Sequence, residues 1–320
     1  MLKKFWLKKI IASTSVLFAL LLLCLIPKNE QKVLKNIPQE LEYVDMSINK
    51  EEMFLLDING YLARSMVSIN DGSEVEKAKE IINILINGSS GESKVPNGFK
   101  AILPSDTKVL NIELKDGVLK INFNKELLDV KKEMEEKIIE ALVYNLTSIN
   151  GIDKIIIYVE GNILTKLPQT KINLPSSLDR SFGINKEYDL QTTKNISGVT
   201  IYYINKYNDL EYYVPVTKYM NDDREKIQII VDELTSTPTY NSNLMSYLNS
   251  NTKLLAISES VDSLELVFNS YILNNITEKE ILEEVIYTIS LSVKDNYNVE
   301  QVIFEVENEE IYKSVLKTIE

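Results

Sequence analysis

The residues able to do chemistry are few and of limited kinds. Histidine is absent, and the single cysteine, Cys24, lies inside an apolar N-terminal run. Internal disulfides, thiolate clusters, His-ligated metals, Cys–His pairs and Ser-His-Asp triads are therefore excluded together. Carboxylates, hydroxyls and amines remain. Glu133, Glu135 and Glu136 cluster, as do Glu307, Glu309 and Glu310. Such groups could hold a hard cation, but charge runs generally mark solvated faces. Asp222 and Asp223 stand just ahead of a helical pattern, where they would cap it and favour its dipole. Thr107 and Thr252 sit at strand entries with no evident base to activate them. A carboxylate hydrolase needs two acids converging in a cleft, whereas Asp and Glu here scatter over polar faces. The expectation is a non-enzyme with no catalytic, cofactor-binding or metal-ligating residues and no cofactor.

Tyrosine is the richer signal. Of 17 tyrosines, Tyr202, Tyr203, Tyr207, Tyr212, Tyr213 and Tyr219 concentrate around one hairpin pattern. Strand alternation should turn some of them to solvent, making a candidate sugar- or protein-binding surface with peptidoglycan as one candidate ligand. Ordinary strand propensity accounts for the same residues without any ligand. Tyr144 and Tyr287 fall within helical patterns and are expected to pack half-buried. The formal charge of -12 argues against a nucleic-acid partner, which needs a clustered basic surface.

The elements that carry these residues repeat. Thr107 and Thr252 are 145 positions apart, as are Phe123 and Phe268. Such a period fixes the domain plan. In the first copy, apolar runs over 53–58 and 62–69 flank Asn59-Gly60, a strong hairpin signal. Ser73 and Glu76 have capping-box spacing ahead of Ala78, Ile81, Ile82, Leu85 and Ile86, which share one helical face. Leu110, Ile112 and Leu114 alternate, Asp116-Gly117 turns, and Leu119, Ile121 and Phe123 alternate back. Ile139, Leu142, Val143 and Leu146 form a second helical face, and 155–159 reads as an inner strand. The second copy offers hairpins around Tyr207-Asn208-Asp209 and Val261-Asp262-Ser263. Its helical faces are Ile227, Ile230, Val231, Leu234 and Leu282, Val285, Ile286, Ile289, the latter behind a Thr277/Glu280 capping box. The fold class expected is α+β: two tandem β-β-α-β-β-α-β domains, each with helices on one face of a small mixed sheet.

The chain of 320 residues divides accordingly. Residues 1–9 form a basic tail and 10–26 a seventeen-residue uncharged run, read as a transmembrane signal-anchor with the rest outside the cytoplasm. A cleaved signal peptide lacks its A-x-A pattern here, and Leu21-Leu22-Leu23 before Cys24 lacks the small residue of a lipoprotein signal. Both alternatives stay open. A polar stem (27–51) leads to domain 1 (52–161). A connector (162–198), whose Leu167, Leu174, Leu178, Phe182 and Ile184 should lie against a domain, leads to domain 2 (199–308). Residues 309–320 read as a terminal helix.

Leu103-Pro104, Thr107, Asn122-Phe123 and Tyr144-Asn145-Leu146-Thr147 resemble the GerMN domain of sporulation and germination proteins, with Asn145 where that family often has Thr. The second copy keeps Thr252, Phe268 and Tyr287-Thr288-Ile289, but Leu248-Asn249 replaces Leu-Pro. The resemblance implies a ring-building-motif-like fold and side-by-side packing. It implies a role between mother cell and forespore membranes, with a homo-oligomer or other sporulation channel or ring proteins as partners. The rival reading is a wall- or solute-binding accessory protein, or a carboxylate hydrolase.

Overall fold

The computed structural model describes residues 50–236 and 243–316. The tail, the apolar run and nearly all of the stem lie outside them. No helix of the described residues is long and apolar enough to cross a membrane. Both repeats fall within one unit, Pro38–Glu320.

Repeat 1 opens with the antiparallel hairpin β1 (Lys50–Asp57) and β2 (Leu62–Ser68) around Asn59-Gly60. Helix α1 (Glu74–Leu85) starts on the Ser73/Glu76 capping box and buries Ala78, Ile81, Ile82 and Leu85. A short β3 (Phe99–Lys100) pairs with β1. Strands β4 (Val109–Lys115) and β5 (Val118–Phe123) turn at Asp116-Gly117, both at positive φ, as a two-residue hairpin loop requires. Helix α2 (Glu135–Leu146) then crosses to β6 (Lys154–Val159), parallel to β5, and β7 (Asn162–Ile163) closes the sheet.

The connector adds β8 (Glu187–Asp189), and its Leu167, Leu174, Leu178 and Ile184 are buried against the body. Repeat 2 follows with β9 (Ser197–Tyr207), β10 (Leu210–Met220), α3 (Lys226–Thr235), β11 (Leu254–Glu259), β12 (Ser263–Phe268), α4 (Glu283–Asn296), β13 (Gln301–Val306) and β14 (Glu309–Val315).

Each repeat contains two sheets rather than the expected one. The orders are β2-β1-β3 and β4-β5-β6-β7 in repeat 1, and β8-β10-β9 and β11-β12-β13-β14 in repeat 2. Helix side chains occupy positions where a further strand would bond. Asn145 on α2 accepts from the Phe54 amide at 2.9 Å and donates to the Phe54 carbonyl at 2.9 Å. In repeat 2, Ser292 accepts from the Tyr202 amide, and Asn296 bonds both backbone groups of Thr200. Buried backbone groups must find partners, and a helical amide meets that need as well as a strand does.

Four further expectations are corrected. Residues 309–315 form a strand, not a helix, because β13 has an open edge and Tyr312 and Ser314 alternate inward beside it. Thr277 and Glu280 cap nothing: they lie in a turn closed by Asn275 and Glu280, and α4 begins at Glu283. Asp222 and Asp223 do not cap α3, whose N-cap is Glu225; Asp222 turns back onto the Arg224 amide and guanidinium. Leu110 leaves its expected face, and Leu255 stands at the equivalent place in repeat 2. Each lies at a register shift, a β-bulge that hands the inward place to Val109 and Leu254 and leaves the leucines 51% and 62% exposed.

Replacing Asn145 with Ala should orphan two backbone groups of Phe54 and destabilise the protein by about 2–4 kcal/mol. Urea unfolding measures this. A loss below about 0.5 kcal/mol, the size of a surface substitution, would contradict the bonding described.

Candidate functional site

The polar groups of this protein converge where the two repeats meet. Arg180, on a short 3-10 turn of the connector, is the centre. Its guanidinium pairs with Asp295 on α4, donates to Ser148 Oγ at 2.8 Å, and lies 5.0 Å from the Tyr144 ring centroid and 5.5 Å from that of Phe54. Tyr202 on β9 donates its hydroxyl to the other Asp295 oxygen at 2.8 Å. Beside them, Glu52 on β1 accepts from Lys294 at 2.8 Å and from Arg64 at 3.2 Å. Burial alone would raise the Glu52 carboxyl. Lys294, Arg64 and Arg180 together outweigh it and hold the group well below the usual carboxylate range.

Two other clamps cross the same junction. Asp57 of repeat 1 accepts from Asn205 and from the Tyr212 hydroxyl of repeat 2, each at 3.0 Å. Phe99 meets Tyr212 edge-on at 5.0 Å, and Gly98 approaches Tyr207 so closely that a Cβ there would stand 2.7 Å from the ring. Asn185 in the connector then bridges β2 and β10. It accepts from the Leu62 amide and donates to the Leu62 and Pro215 carbonyls at 2.8–2.9 Å. Glu140 on α2 holds Asn185 in turn, accepting its backbone amide at 2.9 Å.

Two largely buried carboxylates, Glu52 and Asp295, thus come together, as a hydrolase would need. Their surroundings argue against that use. A general acid must hold a proton near neutrality, and the cations around Glu52 prevent this. Of the clefts on the described surface, one of about 220 Å³ gathers Asp189, Asp222, Asp232 and Glu233 around Arg224. There Asp222 and Asp232 both bind Arg224, and Glu233 accepts from Lys218 at 2.5 Å. Neither that cleft nor the one beside Glu80 and Lys94 reaches Glu52 or Asp295.

The residues singled out from sequence disperse. Glu133 is exposed, Glu135 is buried and accepts from the Gln169 and Thr170 amides, and Glu136 pairs with Lys186. Glu307 and Glu310 are exposed and Glu309 pairs with Lys279. Thr107 and Thr252 are buried at equivalent places, each with a hydroxyl lacking a partner. None of the six clustered tyrosines is exposed, so the expected aromatic surface is not built. Tyr202, Tyr203 and Tyr212 are buried, and Tyr213 stacks on Tyr287 at 5.5 Å. The cause is that β9 lies under α3 and α4 while β10 lies along β2. Tyr287 is half-buried as expected, whereas Tyr144 is fully buried. The junction carries no local motif in the sequence. Its one available signal was composition, since Arg64, Arg180 and Arg224 are the only arginines in a lysine-rich chain.

A pair of α+β repeats joined through a buried polar junction defines a tandem-domain protein built as one body. The chain belongs to the Germane family, "Sporulation and spore germination", which matches residues 53–165 and 200–312. It is 32% identical over 264 residues to the spore germination protein GerM of Bacillus subtilis (strain 168), covering 80% of this chain and 70% of that protein. It is also similar to the solved tandem GerMN domains of the sporulation protein GerM from Bacillus subtilis. There the TM-score is 0.76 at 29% identity, covering 84% of this chain and 94% of the other.

The junction carries a pH dependence. Burial raises the Glu140 carboxyl from 4.5 to about 7, against the opposing pull of Lys186, the Asn185 amide and Lys137. The folded state therefore holds a proton that the unfolded state releases between these values. This group's contribution is full below about pH 4.5 and is lost as pH rises to about 7. Glu140→Gln should remove that dependence and stabilise the fold above pH 7 by about 1–3 kcal/mol. Melting curves across this range test it, and an unchanged slope would contradict it.

Proposed function

We propose that this chain is a non-enzymatic envelope scaffold of endospore formation. The N-terminal segment holds it at the membrane, with both repeats outside the cytoplasm. It assembles into, or supports, a ring or transenvelope channel complex between mother cell and forespore. The observation that carries this reading is the junction. The buried acids, arginine and amides that a catalytic site would need are engaged in binding one repeat to the other. Membership of a sporulation and germination family supports the setting. The free edge strands β4 and β11, each bulged at an exposed leucine, suit a protein whose output is contact with neighbours.

A fluorescent fusion followed through sporulation tests the reading. The signal should collect at the engulfing membranes, and loss of the gene should block spore formation or spore quality after engulfment. Constant expression in growing cells, with no enrichment at engulfment, would contradict it.

A further inference from the structure

The four-stranded sheets of the two repeats have the same topology and each turns one face to its own helices. Their outer faces carry opposite charge. On repeat 1 the register places Glu113 beside Lys120, and Lys115 and Lys154 on either side of Val118. Three lysines thus share a face with one glutamate, around the half-buried Ile156 and Tyr158. On repeat 2 the corresponding face carries Glu265, Glu305 and Glu310 with one Lys313, around Val267 and Ile303. Glu305 stands directly opposite Glu310 across β13 and β14. Like charges in that position destabilise a sheet. Among the described residues, no ion pair neutralises Lys115, Lys120, Glu265, Glu305 or Glu310, while Lys154 lies 3.5 Å from Asp179.

We infer that the basic sheet face of repeat 1 docks on the acidic sheet face of repeat 2 in a second copy of this chain. This contact is heterologous, so each copy keeps one unused face and the assembly propagates into a ring or filament. The opposed charges attract, and each cluster loses its internal repulsion when the other covers it. Strand spacing and rise make such a face about 20 Å by 20 Å. Two such faces bury less than the roughly 1,200 Å² of a stable complex. The contact is therefore weak, salt-sensitive, and formed at high local concentration. The inference rests on the scaffold reading for its biological use but not for its chemistry. Its failure would leave a sporulation role intact, and a gene without a sporulation role would leave the association measurable.

The test is sedimentation of the full chain in mild detergent at high protein concentration, with and without added salt. Wild type should form a concentration-dependent series of oligomers that salt dissolves. Lys115→Glu with Lys120→Glu should weaken association about tenfold or more, and so should Glu305→Lys with Glu310→Lys. Mixing the two variants should restore association, because a wild-type contact and a charge-swapped contact then alternate between unlike copies, whereas copies of one variant repel each other. Melting curves check that each variant folds. If a reversal does not fold, the neutral pair Lys115→Gln with Lys120→Gln replaces it and should weaken association in the same direction. A wild type that stays monomeric, variants that associate like wild type, or a mixture that associates no better than either variant alone would each overturn the proposal.

Discussion

The structure depends on one ion pair, Arg180 with Asp295. The Asp295 side chain is 2% exposed, and an unpaired carboxylate cannot be left there. Arg180 comes from the connector, lies against two rings of repeat 1, and reaches a helix of repeat 2. Removing one partner of such a buried pair generally costs about 3–5 kcal/mol, because the other charge is stranded. That is a large share of the stability of a typical domain. The same pair fixes the rotation of Tyr202 and, through Tyr144, the seat of α2.

Around this point the two repeats solve the same problem in related ways. Each first hairpin is completed by a helix rather than by the second sheet, through Asn145 in one copy and Ser292 with Asn296 in the other. Each second sheet begins with a bulged edge strand and a buried threonine whose hydroxyl lacks a partner. Their differences lie on the outside. Arg180 and Asn185 come from the connector and belong to neither repeat, so the junction is asymmetric although the repeats are alike.

What could be read from sequence follows from what is local. Helix faces such as Ile139, Leu142, Val143 and Leu146 need only a 3.6-residue period, and the hairpins at Asn59-Gly60 and Asp116-Gly117 need only turn chemistry. These were legible. The bulges at Leu110 and Leu255 were not, because a single unpaired residue reverses the alternation and only the partner strand reveals it. The strand at 309–315 depends on an open edge contributed by β13. The tyrosines around β9 and β10 satisfied an alternation rule that assumes one wet face, whereas that hairpin is covered on both. The junction was least legible of all. Glu52, Arg180 and Asp295 are far apart in sequence and look like ordinary surface charges until the repeats are placed together.

Two domains that share a family and merely follow one another would open separately. Two domains joined through buried charges should open together, and a rigid pair presents its edges and faces in fixed relation to any neighbour. Hydrogen exchange of the full chain in mild denaturant measures this directly, because amide protection reports the opening of each element. With the repeats coupled, α2 of repeat 1 and α4 of repeat 2 should lose protection with the same free energy and the same denaturant dependence. Opening of one helix while the other stays protected by more than about 2 kcal/mol would contradict it.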